Sequence, residues 1–300
     1  MIKHLNLRNA TGGRLALLTA ALIWGSSFIV MKDTLDHIPV FQLLAIRFTI
    51  AGLLLAVIFR KRLMQSGRSI LSHGAICGVL LLAAYATQTY GLKTTTPGTN
   101  AFLTAVYCVL VPFMAWGLFR KQPTLYNWAA AAMCITGIGL ISLSGDLTIG
   151  IGEWLTLLSG VLYALHIMGL SRFGEQDDPV ALTIVQFAVV ALLSWLCTLT
   201  VERGASFPAL TVWPQLMYLT VFATAVTLVC QSVGQSLTPP SQSAILLSLE
   251  SVFGALFSVL MGKESLTLPI LCGFTLVFLS VIVSETQLNF LKRKPFDKAP

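Results

Sequence analysis

The stretch QTYGLKTTTPGTNAFLTAV at residues 88–106 returns, in altered form, as QSVGQSLTPPSQSAILLSL at residues 231–249. The two copies align without a gap at a shift of 143 positions, and the match continues to Thr124-Leu125 against Thr267-Leu268. Identical positions in the quoted copies include Gln88, Gly91, Thr95, Pro97, Ala101 and Leu103 of the first. Further upstream, Pro39-Val40 resembles Pro179-Val180 at a slightly smaller shift. The chain is therefore predicted to contain two copies of one structural unit.

Both copies consist of long apolar segments. Hydrophobic residues make up 56% of the chain and charged residues only 10%, whereas a soluble domain carries roughly 25% charged residues. A membrane-spanning helix needs about 20 mainly apolar residues. Ten stretches fit this description: 15–31, 40–59, 71–92, 98–119, 125–144, 154–171, 181–200, 212–235, 241–261 and 267–284. The predicted fold class is an all-α integral membrane protein, because the strands of a β-barrel would alternate instead.

Basic residues are distributed unevenly along the loops between these segments. With the N-terminus in the cytoplasm, 14 of the 19 Lys and Arg residues fall on the cytoplasmic side and four on the outer side, while Arg47 lies inside the second segment. The positive-inside rule therefore predicts that both termini are cytoplasmic. Because each half holds five segments, an odd number, the two copies must cross the membrane in opposite directions. We predict ten transmembrane helices as two inverted five-helix repeats.

The predicted organisation has four parts. A cytoplasmic N-terminal segment at 1–14 precedes the first repeat at 15–145, and the second repeat at 150–285 precedes a basic cytoplasmic tail at 286–300. The first apolar segment lacks a cleavage site of small residues, so we expect an uncleaved helix rather than a signal peptide. We expect a multi-pass protein of the bacterial cytoplasmic (inner) membrane that is a monomer or a weak dimer.

The sequence shows no pattern typical of disulfide, metal, nucleotide or nucleic-acid binding. The six cysteines lie singly within apolar segments, so neither a disulfide framework nor a metal site is predicted. A nucleotide-binding loop of the type GxxxxGK[ST] is absent. The basic residues follow membrane topology, and no nucleic-acid partner is expected. We predict no cofactor; the expected partners are the lipid bilayer, a small-molecule substrate and, if transport is ion-coupled, protons.

Two motifs in the first half resemble those of a known family. Trp24-Gly25-Ser26-Ser27-Phe28, followed by Lys32, resembles the opening signature of the EamA-type branch of the drug/metabolite transporter superfamily. Arg47-Phe48 resembles the second signature of that branch. The resemblance covers about residues 15–285 and is specific to the superfamily, not to a substrate.

The second half carries the family pattern L-E-P-x-x … G-E-x-L-T with two departures. Leu249-Glu250-Ser251-Val252-Phe253 has Ser251 in place of the proline. Gly262-Lys263-Glu264, followed by Leu266-Thr267, has Lys263 inserted before the glutamate. The departures leave the fold expectation unchanged, but without the proline a helix kink at residue 251 is an open question.

The resemblance implies a compact ten-helix transporter without an ATPase domain. Segments 1, 3, 4, 6, 8 and 9 would line a central cavity, segments 2 and 7 would lie outside it, and segments 5 and 10 would form a scaffold. Members export amino acids, other metabolites or amphipathic drugs, and a few import them. The inverted repeat independently indicates a secondary transporter, whose substrate site lies near the membrane midplane between the halves.

Two charged residues inside predicted segments need an explanation, because a charge at the centre of a spanning helix costs about 2.5–3.5 kcal/mol on insertion scales. Glu250 is either a protonation or cation site linked to transport, or a structural residue that ties its helix to a neighbour. The repeat places it opposite Tyr107, whose hydroxyl could bind the carboxylate or the substrate. Arg47 lies in a segment that the resemblance places outside the cavity, and we favour a structural pairing with a helix end or carbonyls.

The other candidates for substrate contact are aromatic or polar residues within the predicted segments. Together with Glu250, which is also the coupling candidate, they are Trp24, Phe28, Gln88, Asn100, Tyr107, Tyr163, His166 and Gln231. Gln88 and Gln231 are repeat mates that either bind polar substrate groups or simply join helices. Trp24 and Phe28 share one helix face, which either packs against a neighbour or forms an aromatic wall for a flat or cationic substrate.

Two short proline-containing loops, at 95–98 and 238–241, join segments 3 to 4 and 8 to 9. Proline fixes the backbone of such turns. We predict that Pro97 and Pro240 hinge gates on opposite membrane faces, so that substituting either alters turnover more than expression.

Three classes of function fit a chain of this kind. We favour a secondary transporter that moves a small metabolite or amphipathic compound, most simply by export, through alternating access, with Glu250 as a proton site. An intramembrane enzyme would need paired catalytic groups at depth, and the segments contain none, so we do not expect catalysis. A channel or a membrane assembly subunit is the third class. The small acidic total favours zwitterionic, apolar or cationic cargo over polyanions.

Overall fold

A computed structural model describes residues 7–120, 122–142, 149–174, 176–237 and 240–288, and this part of the chain is helical without any strand. Its α-helices are α1 Leu7–Thr34, α2 Val40–Ile58, α3 Arg60–Gln65, α4 Ser69–Thr94, α5 Pro97–Thr104, α6 Tyr107–Phe119, α7 Leu125–Ser142, α8 Ile151–Gly174, α9 Pro179–Thr200, α10 Trp213–Met217, α11 Thr227–Leu237, α12 Pro240–Leu260 and α13 Leu268–Thr286. A 3₁₀ turn at Leu210–Val212 precedes α10, and a π-helix at Tyr218–Val226 joins α10 to α11.

The helices coincide with the ten apolar segments predicted from the sequence. Seven stretches of the described chain are long and apolar enough to cross a membrane. Three shorter apolar helices, at Leu125–Ile141, Leu246–Leu260 and Leu268–Ser284, occupy predicted segments five, nine and ten. The described part of the chain is all-helical, as predicted, and seven of the ten predicted spans have the length and composition of a membrane-spanning helix.

The fourth predicted segment is not a single helix, because α5 ends at Thr104 and α6 begins at Tyr107. The Thr104 hydroxyl donates to the carbonyl of Asn100 at 2.8 Å, a local bond that bends helices. The next turn is tightened, with the amide of Cys108 donating to the carbonyl of Ala105 at 3.1 Å. The span predicted at 98–119 is present as the apolar stretch Pro97–Gly117, and its interruption between Thr104 and Tyr107 was not predicted because the residues of the turn are compatible with an apolar helix.

The eighth predicted segment contains the π-helix, in which amides donate to carbonyls five residues back. The Thr224 hydroxyl reinforces this spacing by donating to the carbonyl of Leu219 at 2.8 Å. At the end of the π-helix the amide of Thr227 donates to the carbonyls of Phe222 and Thr224. The amide of Thr227 does not donate to the carbonyl of Ala223, which lies between these two. The Ala223 carbonyl instead accepts from Trp24 Nε1 at 3.0 Å and from Arg47 Nη2 at 3.1 Å.

The main packing contacts join the two halves of the chain. Helix α4 packs on α8, α7 on α13, α1 on α12 and α11, and α2 on α9. Helices α4 and α8 occupy the positions of α11 and α1 in the other repeat, and both pairs are in contact. The interfaces therefore follow the symmetry of the duplication. The halves are therefore interlocked, and the space between them is lined by both.

Glycines allow the closest approaches between the halves. A β-carbon added to Gly137 of α7 would lie 2.8 Å from the carbonyl oxygen of Gly273 on α13, and one added to Gly273 would lie 2.8 Å from the carbonyl of Gly137. Small residues of this kind let membrane helices pack backbone against backbone. The predicted scaffold segments, five and ten, thus pack directly on each other.

Candidate functional site

A cavity of about 140 Å³ lies between the two repeats. Seven of its 24 lining residues are Trp, Phe or Tyr, and two side chains of opposite charge type, Arg47 and Glu250, face the same space. Of the nine predicted substrate-contact residues, the structure places eight in the wall: Trp24, Phe28, Gln88, Tyr107, Tyr163, His166, Gln231 and Glu250. The sequence therefore predicted eight of the 24 residues that line the cavity.

Glu250 lies halfway along α12 and is 8% exposed. The hydroxyl of Tyr107 donates to Glu250 Oε1 at 3.4 Å, which joins the two positions that the repeat aligns. Helix α12 runs without interruption past Ser251, whose hydroxyl donates to the carbonyl of Ser248 at 2.7 Å. The serine that replaces the family's proline thus keeps this helix continuous beside the carboxylate.

Gln88 connects three helices at the wall of the cavity. Its Oε1 accepts from the Tyr163 hydroxyl at 2.9 Å, and its Nε2 donates to Thr104 Oγ1 at 3.1 Å. The rings of Tyr107 and Tyr163 lie 6.4 Å apart in an edge-to-face arrangement. Both tyrosines thus present hydroxyls near Glu250 and Gln88, on a wall that is otherwise mostly apolar.

Asn100 lies outside the cavity, contrary to the prediction that it contacts substrate. The residue is fully buried, and its amide nitrogen donates to Thr156 Oγ1 at 2.7 Å and to the carbonyl of Gln88 at 3.3 Å. The amide of Asn100 therefore joins α5 to α4 and to α8. These hydrogen bonds join helices, which is the alternative role proposed for such amides, and Asn100 is not among the residues that line the cavity.

His166 lies on α8 next to a polar partner from α9. Its Nε2 is 2.6 Å from Gln186 Oε1, and Gln186 Nε2 donates to the carbonyl of Leu182 at 3.4 Å. Because the amide oxygen of Gln186 can only accept, Nε2 of His166 carries the proton of this bond. The imidazole is thus held in place on the wall, with Nδ1 as its other polar atom.

Arg47 lies in the cavity wall, not outside it as predicted. Its side chain is 2% exposed; Nε donates to Thr224 Oγ1 and Nη2 to the carbonyl of Ala223. The guanidinium carbon is 5.1 Å from the centre of the Tyr85 ring. The structural pairing with carbonyls that we favoured is present, but it holds the group against the cavity.

The second and seventh segments also contribute to the wall, which corrects the expectation that both lie outside. Helix α2 supplies Phe48 beside Arg47, and α9 supplies Thr183, Gln186 and Phe187. The Phe48 and Phe187 rings meet edge to face at 4.9 Å. The contact joins α2 to α9 in the cavity wall, and these two helices occupy equivalent positions in the two repeats.

A second polar cluster, the Glu264 cluster, lies at the end of the bundle where α5 begins. It consists of Thr96, Thr99 and Glu264, and Glu264 Oε1 accepts from the hydroxyls of Thr96 at 2.5 Å and Thr99 at 2.9 Å. Thr96 also caps α5 by accepting from the Thr99 amide at 3.2 Å. A buried carboxylate from the α12–α13 loop is thus joined to the N-terminus of α5, where a negative charge is favourable.

Two lysines add further contacts at the same end. Lys32 Nζ donates to the carbonyls of Leu92 at 2.7 Å and Lys93 at 2.8 Å, which closes the C-terminal end of α4. Lys263 Nζ donates to Asp33 Oδ1 at 2.7 Å, and this hydrogen bond and the charge of Asp33 raise the pKa of Lys263. Helices α1, α4 and α5 and the α12–α13 loop are therefore tied together here.

The sequence identified Lys32 and Glu264 only as parts of family motifs. It did not predict that Glu202 caps a helix. Glu202 accepts from the amides of Phe41 and Gln42, both at 3.0 Å, and so caps α2. One signal could have identified this cap. Glu202 is an acidic residue just outside an apolar segment, and it lies opposite the first turn of another segment.

The predicted hinge prolines begin two helices. Pro97 occupies the first turn of α5 directly after the Thr96 cap. Pro240 is the first residue of α12, and residues 238–239, with the side chain of Pro240, lie outside the described part of the chain. The hinge role remains a prediction for both.

Comparison with known proteins agrees with this architecture. The model of the EamA-like transporter family matches residues 11–143 and again 150–286, one match for each half. An uncharacterized transporter of Archaeoglobus fulgidus is 31% identical over 270 residues, which cover 90% of this chain and 84% of that protein. The uncharacterized inner membrane transporter YedA of Escherichia coli K12 is 24% identical over 71% of each chain. A crystal structure matches with a TM-score of 0.69 at 17% identity, covering 94% of this chain and 99% of that one.

The fold and the cavity define a multi-pass helical membrane protein built from two repeats around a central site. The chain belongs to the EamA-like transporter family.

Proposed function

We propose that the protein is a secondary transporter that moves a small metabolite or an amphipathic compound by alternating access. The observation that carries the proposal is the cavity between two interlocked repeats, with Glu250 from one half and Tyr107 from the other in contact across it. A site shared by two repeats can be exposed to either side by rocking one half against the other. The membership of the family and the names of the relatives support transport.

The proposal includes ten spanning helices in two inverted repeats, with both termini in the cytoplasm. On this topology the Glu264 cluster and the Lys263–Asp33 pair lie at the outer end of the bundle. The cavity extends toward the other end, where its wall includes Leu170, four residues before α8 ends. The arrangement supports a state closed to the outside, from which cargo is loaded on the cytoplasmic side for export.

Glu250 is the proposed proton site of this cycle. Its carboxylate is buried in the wall that contacts the cargo, so a change in its charge would alter the binding of cargo directly. Tyr107 donates to it, and the other titratable groups that line the same cavity are Tyr85, Tyr163, His166 and Arg47. Exchange of one proton per cycle would couple cargo movement to the proton gradient.

Counterflow in proteoliposomes tests the proposal. Vesicles containing the purified protein are loaded with one unlabelled compound of a metabolite and drug panel, and entry of the labelled compound is followed. We expect at least one compound to accumulate transiently in vesicles with protein and not in protein-free vesicles. If no compound of a broad panel exchanges, the transport proposal fails.

The Glu264 cluster gives a prediction about the outer gate. Glu264→Ala removes two charge-assisted hydrogen bonds from a buried carboxylate, each worth about 1.5–3 kcal/mol. We expect hydrogen exchange of the amides in 97–104 to accelerate by roughly tenfold or more. Lys263→Ala is the matched control, because exposed ion pairs contribute only about 0.2–1 kcal/mol. Equal exchange in Glu264→Ala and wild type would contradict a gate held by this cluster.

A further inference from the structure

We propose that a groove beside α3 binds an anionic phospholipid, with basic side chains against the lipid phosphate and an acyl chain in the groove. The groove has a volume of about 600 Å³ and is lined by α3, the turn after it, the start of α4, and α9. It shares no lining residue with the central cavity. Lipid binding here is therefore a role in addition to the proposed transport.

The basic end of the groove lies where two neighbouring spans meet the membrane surface. The span Val40–Ile58 ends just before α3, and the span Ser69–Thr94 begins a few residues after it. Because both are long and apolar enough to cross a membrane, the short helix between them lies at the depth of the lipid headgroups. Leu63 holds α3 on the bundle by packing against Ala181 and Leu182 at the start of α9.

The wall of the groove is apolar apart from the turn after α3. Eight of its eleven lining residues are Leu, Ile, Val or Ala. The helices behind it are closely packed, since a β-carbon added to Gly78 of α4 would lie 2.7 Å from Cβ of Val189 on α9. Leu71 of α4 and Leu192 of α9 are 62% and 70% exposed at its rim. The wall thus faces lipid and offers an acyl chain a continuous apolar surface.

Four basic side chains surround the polar end of the groove. Arg60, Lys61 and Arg62 form the first half of α3, and Arg68 lines the groove itself. All four are exposed. Clusters of Lys and Arg next to a membrane helix attract anionic lipids, and basic pockets between spanning helices bind their headgroups. On the proposed topology this end of the groove lies in the cytoplasmic leaflet.

Nearby acidic residues neutralise only part of this charge. Asp178 lies 3.5 Å from Arg62 and also accepts from two amides at the start of α9. Asp177 lies 2.6 Å from Nδ1 of His73 and accepts from the Ser69 hydroxyl at 2.8 Å. Three of the basic residues have no ion pair among the residues that the structure describes: Arg60, Lys61 and Arg68. A lipid phosphate would supply their counter-charge.

The second repeat does not carry the same combination. Its equivalent loop, at 201–209, forms no helix and contains one basic residue, Arg203, next to Glu202. Glu202 caps α2 from this loop. The positive-inside rule accounts for the side on which basic residues lie. It does not account for a basic helix placed against an apolar groove, which is the feature that a phospholipid fits.

Native mass spectrometry of the purified protein tests lipid binding on the unchanged chain. The protein in detergent is titrated with palmitoyl-oleoyl phosphatidylglycerol, and separately with phosphatidylcholine of the same chains, which keeps the phosphate but has no net charge. We expect the first phosphatidylglycerol to bind at least about tenfold more tightly, because each basic residue at the membrane surface adds attraction to an anionic headgroup. Equal affinity for the two lipids would overturn the proposal.

A triple variant assigns the preference to the groove. Arg60→Gln, Lys61→Gln and Arg68→Gln together remove the three unpaired charges, and the preference should fall to about threefold or less. The matched control removes three exposed charges that lie on the same proposed side but away from the groove: Arg14→Gln, Arg120→Gln and Arg172→Gln. The control should keep the preference. If both triple variants lose it alike, the overall positive charge attracts the lipid and the groove is not its site.

Filling the groove tests the contact with the acyl chain at constant charge. Ala188 is exposed and lines the groove, so the ring of Ala188→Trp would occupy the space of the chain. We expect phosphatidylglycerol to bind at least about threefold more weakly, because methylene groups of the chain lose their buried position. Ala132→Trp, at an exposed position of α7 outside the groove, is the control. Unchanged binding to Ala188→Trp would contradict the placement of the chain.

Lipid binding and transport fail in separate experiments. The lipid adducts are measured without any cargo, so a lack of preference for phosphatidylglycerol overturns the lipid site even where counterflow is observed. A preference that the groove variants remove supports the lipid site, including where no compound exchanges and the transport proposal fails. Only the assignment to the cytoplasmic leaflet rests on the proposed topology.

Discussion

Replacing Glu250 with glutamine is expected to abolish proton-driven accumulation of cargo while leaving counterflow largely intact. Glutamine has the size of glutamate and still accepts from the Tyr107 hydroxyl, but it cannot exchange a proton. We expect accumulation driven by an imposed pH gradient to fall by at least about tenfold, a difference of 1.4 kcal/mol in the coupling free energy. The measurement compares gradient-driven uptake with counterflow at equal pH, in the same proteoliposomes.

Two further variants separate coupling from structure. Glu153→Gln makes the same change at the start of α8, away from the cavity, and should leave both activities unchanged. Tyr107→Phe removes the hydrogen bond and keeps the carboxylate, so gradient-driven uptake should persist at a reduced rate. If Glu250→Gln accumulates cargo as wild type does, Glu250 is the structural residue that the sequence left as its alternative role.

Gly137→Leu is expected to prevent the scaffold helices from packing and to give the largest loss of folded protein. Its side chain would enter the space now occupied by the backbone of Gly273, where even a β-carbon would lie 2.8 Å from the carbonyl oxygen. Overpacking of this kind costs about 1–3 kcal/mol, which corresponds to a fall of roughly 2–12 °C in melting temperature. Thermal unfolding and the yield of monodisperse protein in detergent measure the effect.

Gly117→Leu is the matched control for this prediction. Gly117 also lies inside a membrane helix, α6, but a β-carbon there would have no neighbour within 4 Å among the described residues. We expect it to change the melting temperature little. A similar loss of stability in both variants would show that glycine itself, and not the contact between α7 and α13, is what the fold needs.

The repeat made the contact between Tyr107 and Glu250 predictable, because residues at equivalent positions of a two-fold pair approach each other near the axis. Eight residues of the cavity wall were predictable because aromatic and polar side chains inside apolar segments tend to face the protein interior and not the lipid. Family resemblance, by contrast, misplaced α2, because it assigned roles to whole helices while two residues of α2, Arg47 and Phe48, reach the cavity.

Other features had no signal in the sequence. The π-helix at Tyr218–Val226 arises in an ordinary apolar segment, so the carbonyl of Ala223 that anchors Arg47 was not foreseeable. Asn100 has the residue type of a binding amide, but Thr156 on a distant helix engages it. Residue type and depth can be read from a sequence, whereas the direction of a side chain depends on neighbours that only the fold brings close.

Site-resolved labelling of a cavity position tests alternating access most directly. Ser27 lines the cavity and can be changed to cysteine with little change in volume, and mass spectrometry of its peptide separates it from the native cysteines. A membrane-impermeant maleimide is applied to oriented vesicles from either side, with and without Glu264→Ala. We predict labelling of Ser27→Cys from both sides, with Glu264→Ala accelerating labelling from the outside and slowing it from the inside. Labelling from one side only, or acceleration from both sides together, would contradict alternating access.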